Sequence, residues 1–216
     1  MFKNQYTNTM KFDGVILDID GTIWNTTEIV ADAWNKAIEC SHYNIKITAD
    51  ILKNEFGKTM EKIADDLFPF IKGSERSLLL KKCCAEEQHA LRLNTKKIEY
   101  TGVFETIKKI AETHRIFIVS NCQKGYIELV MDKVGITPFI SDYECFGNTG
   151  KGKSFNIVDI IRRNGIADPV YVGDTQGDSD ACKEAGVPFI WASYGFGKPV
   201  SYYAAVKSFC EIENLI

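Results

Sequence analysis

Two aspartates one residue apart, Asp18 and Asp20, close a short apolar run, Val15-Ile16-Leu17, and Gly21 follows at once. A β-branched run without polar alternation reads as a strand buried on both faces, as in a parallel sheet. Carboxylates at the C-terminal end of such a strand stand where open α/β sheets bind ligands. A glycine after them lets the backbone turn sharply. Two later strands carry polar tips of their own. Arg115 to Val119 runs into Ser120-Asn121, and Val170 to Val172 runs into Gly173-Asp174, with Asp178 close behind. In a parallel sheet these tips share one edge. Lys153 opens the helix before the Asp174 strand and can reach the same edge.

That set of side chains has a definite chemistry. Carboxylates gathered at one edge repel each other and stay ionised together only beside a cation; an all-oxygen donor set suits Mg²⁺. Mg²⁺ takes one or two carboxylates plus substrate phosphate. A lysine with a Ser/Asn pair, Lys153 with Ser120 and Asn121, would hold the remaining phosphoryl oxygens. Asp18 can then act as nucleophile, since metal and lysine neutralise the incoming charge. Asp20 can protonate the leaving oxygen and later take a proton from water, with its pKa expected to be raised by neighbouring negative charge.

The elements that must position these residues follow from periodicity. After Trp24 the pattern turns helical: Val30, Ala33, Trp34, Ala37 and Ile38 form one stripe. Thr48 caps a short helix, Met60, Ile63, Ala64 and Leu67 mark another that Pro69 stops, and Gly73-Ser74 opens a long one to about Leu93. From Tyr100 helices and strands alternate. Helices are expected at 103–113, 126–134, 154–164 and 179–185, and strands at 115–119, 140–145, 170–172 and 187–191. This order predicts an α/β, doubly wound parallel sheet. Its core is expected from residues 10–24 and 99–216, with a helical cap, 25–98, inserted after the first strand. Residues 1–9 read as a flexible extension.

The ordered set resembles the haloacid dehalogenase superfamily in its phosphatase branch. Asp18-Ile19-Asp20-Gly21-Thr22 is similar to the family's first motif, Val119-Ser120-Asn121 to the second, and Gly173-Asp174-Thr175-Gln176-Gly177-Asp178 to the fourth. Lys153 stands where the third motif's lysine belongs, although Lys151, two residues away, competes for the role. The resemblance implies catalytic Asp18, Asp20 and Lys153. It implies Mg²⁺ held by Asp18, the Asp20 carbonyl and Asp174, with Asp178 supporting. It places Thr22 with Ser120 and Asn121 among the substrate-binding residues. Asp20 argues against the dehalogenase and phosphonatase branches, which lack an aspartate there. The expected reaction is hydrolysis of a small phosphomonoester through an aspartyl-phosphate. The final strand and Tyr194-Gly195 resemble those of phosphoglycolate phosphatases. Substrate choice is expected in the cap, at Phe56-Gly57-Lys58-Thr59-Met60, where Lys58 would meet an anionic group on the leaving half. Trp24 is close enough to the nucleophile to line the cleft.

Other readings compete. Gly147 to Ser154 matches G-x-x-x-x-G-K-S, the phosphate-binding loop of nucleotide-binding proteins. The strand before it is poorly apolar, only 62 residues follow Ser154, and the match leaves Asp18, Asp20 and Ser120 without a role. A phosphomutase of the same fold, or a regulator with a phospho-accepting Asp18, shares the acidic tips; a regulator has no use for the helical insertion.

Composition narrows the classes further. The chain has 216 residues, 45% hydrophobic and 25% charged, as in soluble globular proteins. A net charge of −3 without a basic block disfavours nucleic acid as main partner. Seven cysteines without a C-x-x-C pair suggest reduced thiols in the cytoplasm, and Cys122 falls near the site without a histidine motif to make it a nucleophile. The three histidines show no metal-ligand spacing. No window approaches the ~18 apolar residues of a membrane span. The partner expected is a small phosphorylated metabolite; oligomeric state is not legible.

Overall fold

The computed structural model describes residues 12–216; the extension expected at residues 1–9 lies outside the described residues. β1 (Gly14–Leu17) is short and wholly buried. Val15 and Leu17 pack with Ile107, Ile118 and Val130 on one side, while Ile16 packs with Phe117, Ile157 and Ile160 on the other. The strand therefore has no polar face, which is why its sequence shows no alternation.

Four helices follow: α1 (Thr27–Glu39), α2 (Ala49–Glu55), α3 (Met60–Leu67) and α4 (Gly73–Leu93). They enclose an apolar cluster of their own, with Trp34, Ile38, Leu52, Ile63, Phe68 and Cys83 at its centre. Thr48 and Thr59 cap α2 and α3, accepting the Ile51 and Lys62 amide hydrogens. The two chain segments that join this unit to the rest pair with each other. Asn25 N donates to Ile98 O at 2.9 Å and Tyr100 N to Ile23 O at 3.0 Å.

The chain then runs through α5 (Val103–Ile110), β2 (Arg115–Ser120), α6 (Tyr126–Val134), β3 (Ile140–Cys145), α7 (Phe146–Thr149), α8 (Lys153–Asn164), β4 (Pro169–Gly173), α9 (Gln176–Ala185), β5 (Phe189–Ala192) and β6 (Ala204–Val206). The strands lie in the order β3-β2-β1-β4-β5-β6, all parallel. This is the doubly wound α/β fold that the alternation predicts. Leu17 pairs with Ile118 on one side and Val172 on the other. Asp18 is thus level with Val119 and Gly173, and Ser120 and Asp174 stand one residue further out. The strand order turns back at β1, so a crevice opens over the carboxyl ends of β1 and β4.

The differences from expectation have local causes. α9 begins at Gln176 rather than 179, because Thr175 and Asp178 form a reciprocal capping box that extends the helix by most of a turn. β5 starts at Phe189 rather than 187, because Val187 N is held by Cys182 O in the cap that closes α9. α5 stops at Ile110, its last turn tightening through Glu112 N to Lys109 O and Thr113 N to Ile110 O. β6 is too short to stand out in sequence. Among the described residues no helix is long and apolar enough to cross a membrane.

The cluster inside the helical unit is separate from the two layers on the sheet, so its packing can be tested alone. Ile38 is 2% exposed at its centre. Ile38→Ala should cost about 2–5 kcal/mol, the usual range for emptying such a site. Urea unfolding should show a lower midpoint at unchanged slope; a loss below about 0.5 kcal/mol would mean that the unit is not close-packed there.

Candidate active site

Asp18 is 1% exposed, its amide fixed by donation to Val172 O at 2.9 Å. Lys153, the first residue of α8, is equally buried; its Nζ lies 3.0 Å from Asp18 Oδ1 and 2.5 Å from Asp178 Oδ1. The contact to Asp18 is an ion pair, not an aligned hydrogen bond, so Asp18 Oδ1 keeps an unfilled acceptor site. Lys151 is exposed. Of the two lysines that the sequence leaves in competition, only Lys153 reaches the carboxylates.

Asp178 is held from behind. Its Oδ2 accepts from Thr175 N at 2.8 Å, Thr175 Oγ1 at 2.7 Å and Asp174 N at 3.2 Å. Burial would raise its pKa, but Lys153 and the Thr175 bonds keep it below the ordinary value. Asp174 sits at the end of β4, with Oδ2 accepting from Phe196 N at 2.6 Å. Two glycines make room for this carboxylate: a Cβ at Gly21 or at Gly195 would run into it, and Gly21 also holds φ at 83°. Burial pushes the pKa of Asp174 well up, reinforced by the charges of Asp178 and Asp18. Burial likewise lifts Asp18 to about 7, against the pull of Lys153.

Three buried carboxylates face one ammonium. Asp18, Asp174 and Asp178 each offer an oxygen within 4.8 Å of the others, and Oδ1 of Asp18 and of Asp174 are buried without a hydrogen-bond donor. Such a donor set fits a hard divalent cation such as Mg²⁺, which would supply the missing positive charge and fill both oxygens.

Asp20 is held apart from this cluster. Its Oδ1 accepts from Tyr126 OH at 2.8 Å, Trp24 Nε1 at 3.0 Å and Thr26 Oγ1 at 3.3 Å. All three bonds fall on one oxygen, which leaves Oδ2 to take a proton. The pKa of Asp20 is raised to about 7, the direction expected from sequence. The main cause is burial, however, opposed by the Tyr126 bond; the neighbouring charge of Glu87 is a smaller contribution.

Asp20, Ser120, Asn121 and Lys58 line one cavity between the cap and the sheet edge. Thr22 is fully buried in the turn after β1, outside that lining, with an unpartnered Oγ1. Asn121 Nδ2 donates to Gly57 O of the cap at 2.8 Å, so one of its two N–H groups joins the cap to the core. Lys58 is not the free cation that the sequence suggests. Its Nζ is 2.9 Å from both Glu55 Oε2 and Asp66 Oδ2, and its charge is already balanced. Trp24 orients Asp20 and is absent from the lining. The Cys122 thiol lies in the wall, with its pKa pushed well up by burial.

Residues 146–154 do not make a phosphate cradle. Phe146–Thr149 coil into a helical turn, Thr149 Oγ1 donates to Asn156, and Lys153 points at Asp18 and Asp178 rather than back over its own loop. Three residues escaped the sequence reading. Tyr126 and Thr26 orient Asp20 from a helix start and a loop where nothing marks them as polar partners. Glu87 of α4 is 4% exposed and lines the same cavity, with its pKa raised to about 7 mainly by burial. Its signal was faint: one acid among the charged residues of a long helix.

Comparison with known proteins bears on this geometry. The model of the haloacid dehalogenase-like hydrolase family matches residues 15–192. An uncharacterized protein of Haemophilus influenzae is 24% identical over 132 residues, 60% of this chain and 64% of that relative, so the match spans less than two thirds of the relative's length. The fold is similar to the crystal structure of a predicted phosphoglycolate phosphatase from Haemophilus somnus (TM-score 0.81, 18% identity, covering 94% of this chain and 97% of that chain). It is also similar to a predicted phosphatase from Clostridium acetobutylicum (TM-score 0.76, 13% identity, covering 94% and 96%). The matched span runs from β1 to β5 and takes in every strand tip of the site, and the chain belongs to the haloacid dehalogenase-like hydrolase family.

Proposed function

We propose that the protein is a Mg²⁺-dependent phosphatase that hydrolyses a small phosphomonoester through a phosphoryl group carried on Asp18. The observation that carries this reading is the division of labour between two aspartates two residues apart. Asp18 is paired with the Lys153 ammonium, whereas Asp20 is turned away and held by three neutral donors. One carboxylate is thereby suited to attack and the other to carry a proton.

Asp18, the Asp20 carbonyl and Asp174 would hold the metal, with Asp178 behind them; a Mg²⁺ ion bound there would supply positive charge for the phosphoryl oxygens and would let Asp18 and Asp174 ionise together. A carboxylate oxygen of Asp18 attacks phosphorus while Lys153 balances charge on the phosphoryl group. The bond to the leaving oxygen breaks, and that oxygen takes the proton from Asp20 Oδ2. Asp20, now a carboxylate, takes a proton from the water that attacks phosphorus, and the bond to Asp18 breaks. Ser120 lines the cavity beside Asp20, where its hydroxyl is suited to a phosphoryl oxygen.

Hydrolysis is favoured over phosphoryl transfer within a bis-phosphorylated sugar. A mutase must hold a second phosphate, yet the only cation in the described cavity wall is Lys58, already paired twice.

Two experiments separate the roles. Asp20→Asn keeps an acceptor for Tyr126 and Trp24 but carries no transferable proton. With Mg²⁺ present its kcat/KM, which reports the steps up to departure of the leaving group, should fall on the order of a hundred- to ten-thousandfold for alkyl phosphates and far less for p-nitrophenyl phosphate, since p-nitrophenolate leaves without a proton. Equal losses for both ester classes would remove Asp20 from the acid role. Lys153→Ala should lower kcat on the order of a hundred- to a thousandfold, while Ser154→Ala and Lys151→Ala stay near wild type. Tight ATP binding that is lost in Ser154→Ala would instead restore the phosphate-binding-loop reading.

A further inference from the structure

The wall of the cap–core cavity has an unusual polarity for a site that handles anions. Apart from Asp20, its deepest charged group is Glu87, on α4 of the cap. Glu87 Oε2 accepts from Trp34 Nε1 at 2.8 Å and Oε1 from Gln123 Nε2 at 3.1 Å. Among the described residues no cation pairs with it. Each carboxylate oxygen therefore retains an open acceptor position. Asn121 is in the same lining, and its Oδ1 is buried without a partner. Its orientation is set by the amide nitrogen's donation to Gly57 O; turning the amide over would bring two carbonyl-type oxygens together. Both groups lack the same thing, a hydrogen-bond donor.

The bland account of Glu87 is a tether between cap and core through Gln123. A tether does not need a charge, because a glutamine could accept from Trp34 and pair with Gln123 as well. A buried carboxyl without a cation is costly in an apolar cap, and it repels any anion placed beside it. Lys58 does not relieve that repulsion, since Glu55 and Asp66 already engage its ammonium. The remaining walls, Trp34, Phe56, Met60 and Ile63, suit a short alkyl stem. The cavity is narrow, about 30 Å³, which suits a short leaving group better than a bulky one.

We propose that Glu87 and Asn121 select the leaving group, and that the preferred substrate is the phosphomonoester of a short alcohol bearing a hydrogen-bond donor, an amine or a further hydroxyl, and no carboxylate. This rests on the phosphatase reading above. It runs against the carboxylated leaving group that Lys58 suggests in sequence. A donor on the alcohol fills Glu87 and Asn121 Oδ1 together, whereas a carboxylate there faces two acceptors and no free cation.

The test uses the full chain with Mg²⁺ and four probes: phosphoethanolamine, glycerol 3-phosphate, phosphoglycolate and p-nitrophenyl phosphate. The wild type should favour phosphoethanolamine or glycerol 3-phosphate over phosphoglycolate at least tenfold in kcat/KM. Glu87→Gln should cut that preference by roughly ten- to a hundredfold, as for loss of a hydrogen bond to a charged group. A merely structural Glu87 would lower all four probes together and leave their ratios unmoved, which would overturn the proposal. So would a wild type that prefers phosphoglycolate. A greater loss for the amine than for the polyol supports a cationic leaving group, and equal losses support a neutral one. If p-nitrophenyl phosphate and every other probe are inert, the phosphatase reading itself fails and the selectivity proposal falls with it. Turnover with unmoved ratios sinks the selectivity proposal alone. Should Glu87→Gln fail to fold, Asn121→Ala supplies the second variant: it removes the Oδ1 acceptor, so the preference for phosphoethanolamine over phosphoglycolate should fall severalfold, and an unmoved or raised preference would contradict the proposal.

Discussion

The ammonium of Lys153 sits where three buried carboxylates, two at strand ends and one in the first turn of α9, would otherwise repel one another without any counter-charge. It touches Asp18 and Asp178 at once, from a position that solvent scarcely reaches. Burial and the two acids act on it in opposite directions; the acids prevail, and its pKa is raised above the ordinary lysine value. The cation is therefore fixed. Much of the core is arranged to keep it so. α8 must begin at residue 153 for the side chain to reach inward, Asp178 must be capped by Thr175, and Tyr171 must stand beneath the ammonium, its ring centroid 5.7 Å away. One cation among three carboxylates is still too little, and that shortfall gives the site its capacity for a metal.

The same arithmetic explains the second aspartate. Asp20 cannot share the cluster without adding a fourth charge. The turn after β1 carries it away to Tyr126, Trp24 and Thr26, whose neutral donors tolerate either protonation state. Two residues of chain therefore separate an electrostatically crowded environment from a neutral one. Gly21 makes the turn possible in two ways: it takes a left-handed backbone conformation, and it leaves space that the Asp174 carboxylate fills. The cap closes over the neutral side, where the leaving group would stand, and contributes a carboxyl of its own rather than a free cation.

Much of this was written locally in the chain. The buried strand β1, the parallel order and the polar tips follow from short-range patterns, because a strand covered on both faces must be apolar throughout. The starts of α9 and β5 differ from the apolar period for an equally local reason, a capping interaction at each end of α9. Long-range pairings were the illegible part. Lys58 is engaged at shorter range, by Glu55 three residues before it and Asp66 eight after it, but the turn between α2 and α3 must fold before both reach its ammonium. That Tyr126 would orient Asp20 requires two residues 106 positions apart to meet. Glu87 looked like any solvated acid, and only the fold buries it beneath Trp34 and Gln123.

The central claim is that phosphorus passes through a covalent bond to Asp18, and one measurement addresses it directly. Enzyme in excess over a turned-over phosphomonoester, with Mg²⁺, can be quenched in acid within the first turnover and its peptides mapped by mass. The account predicts a phosphoryl adduct on the peptide bearing Asp18, removed by hydroxylamine as an acyl phosphate is. An adduct on Ser120, or product formed in the first turnover with Asp18 unmodified at every quench time, would contradict it.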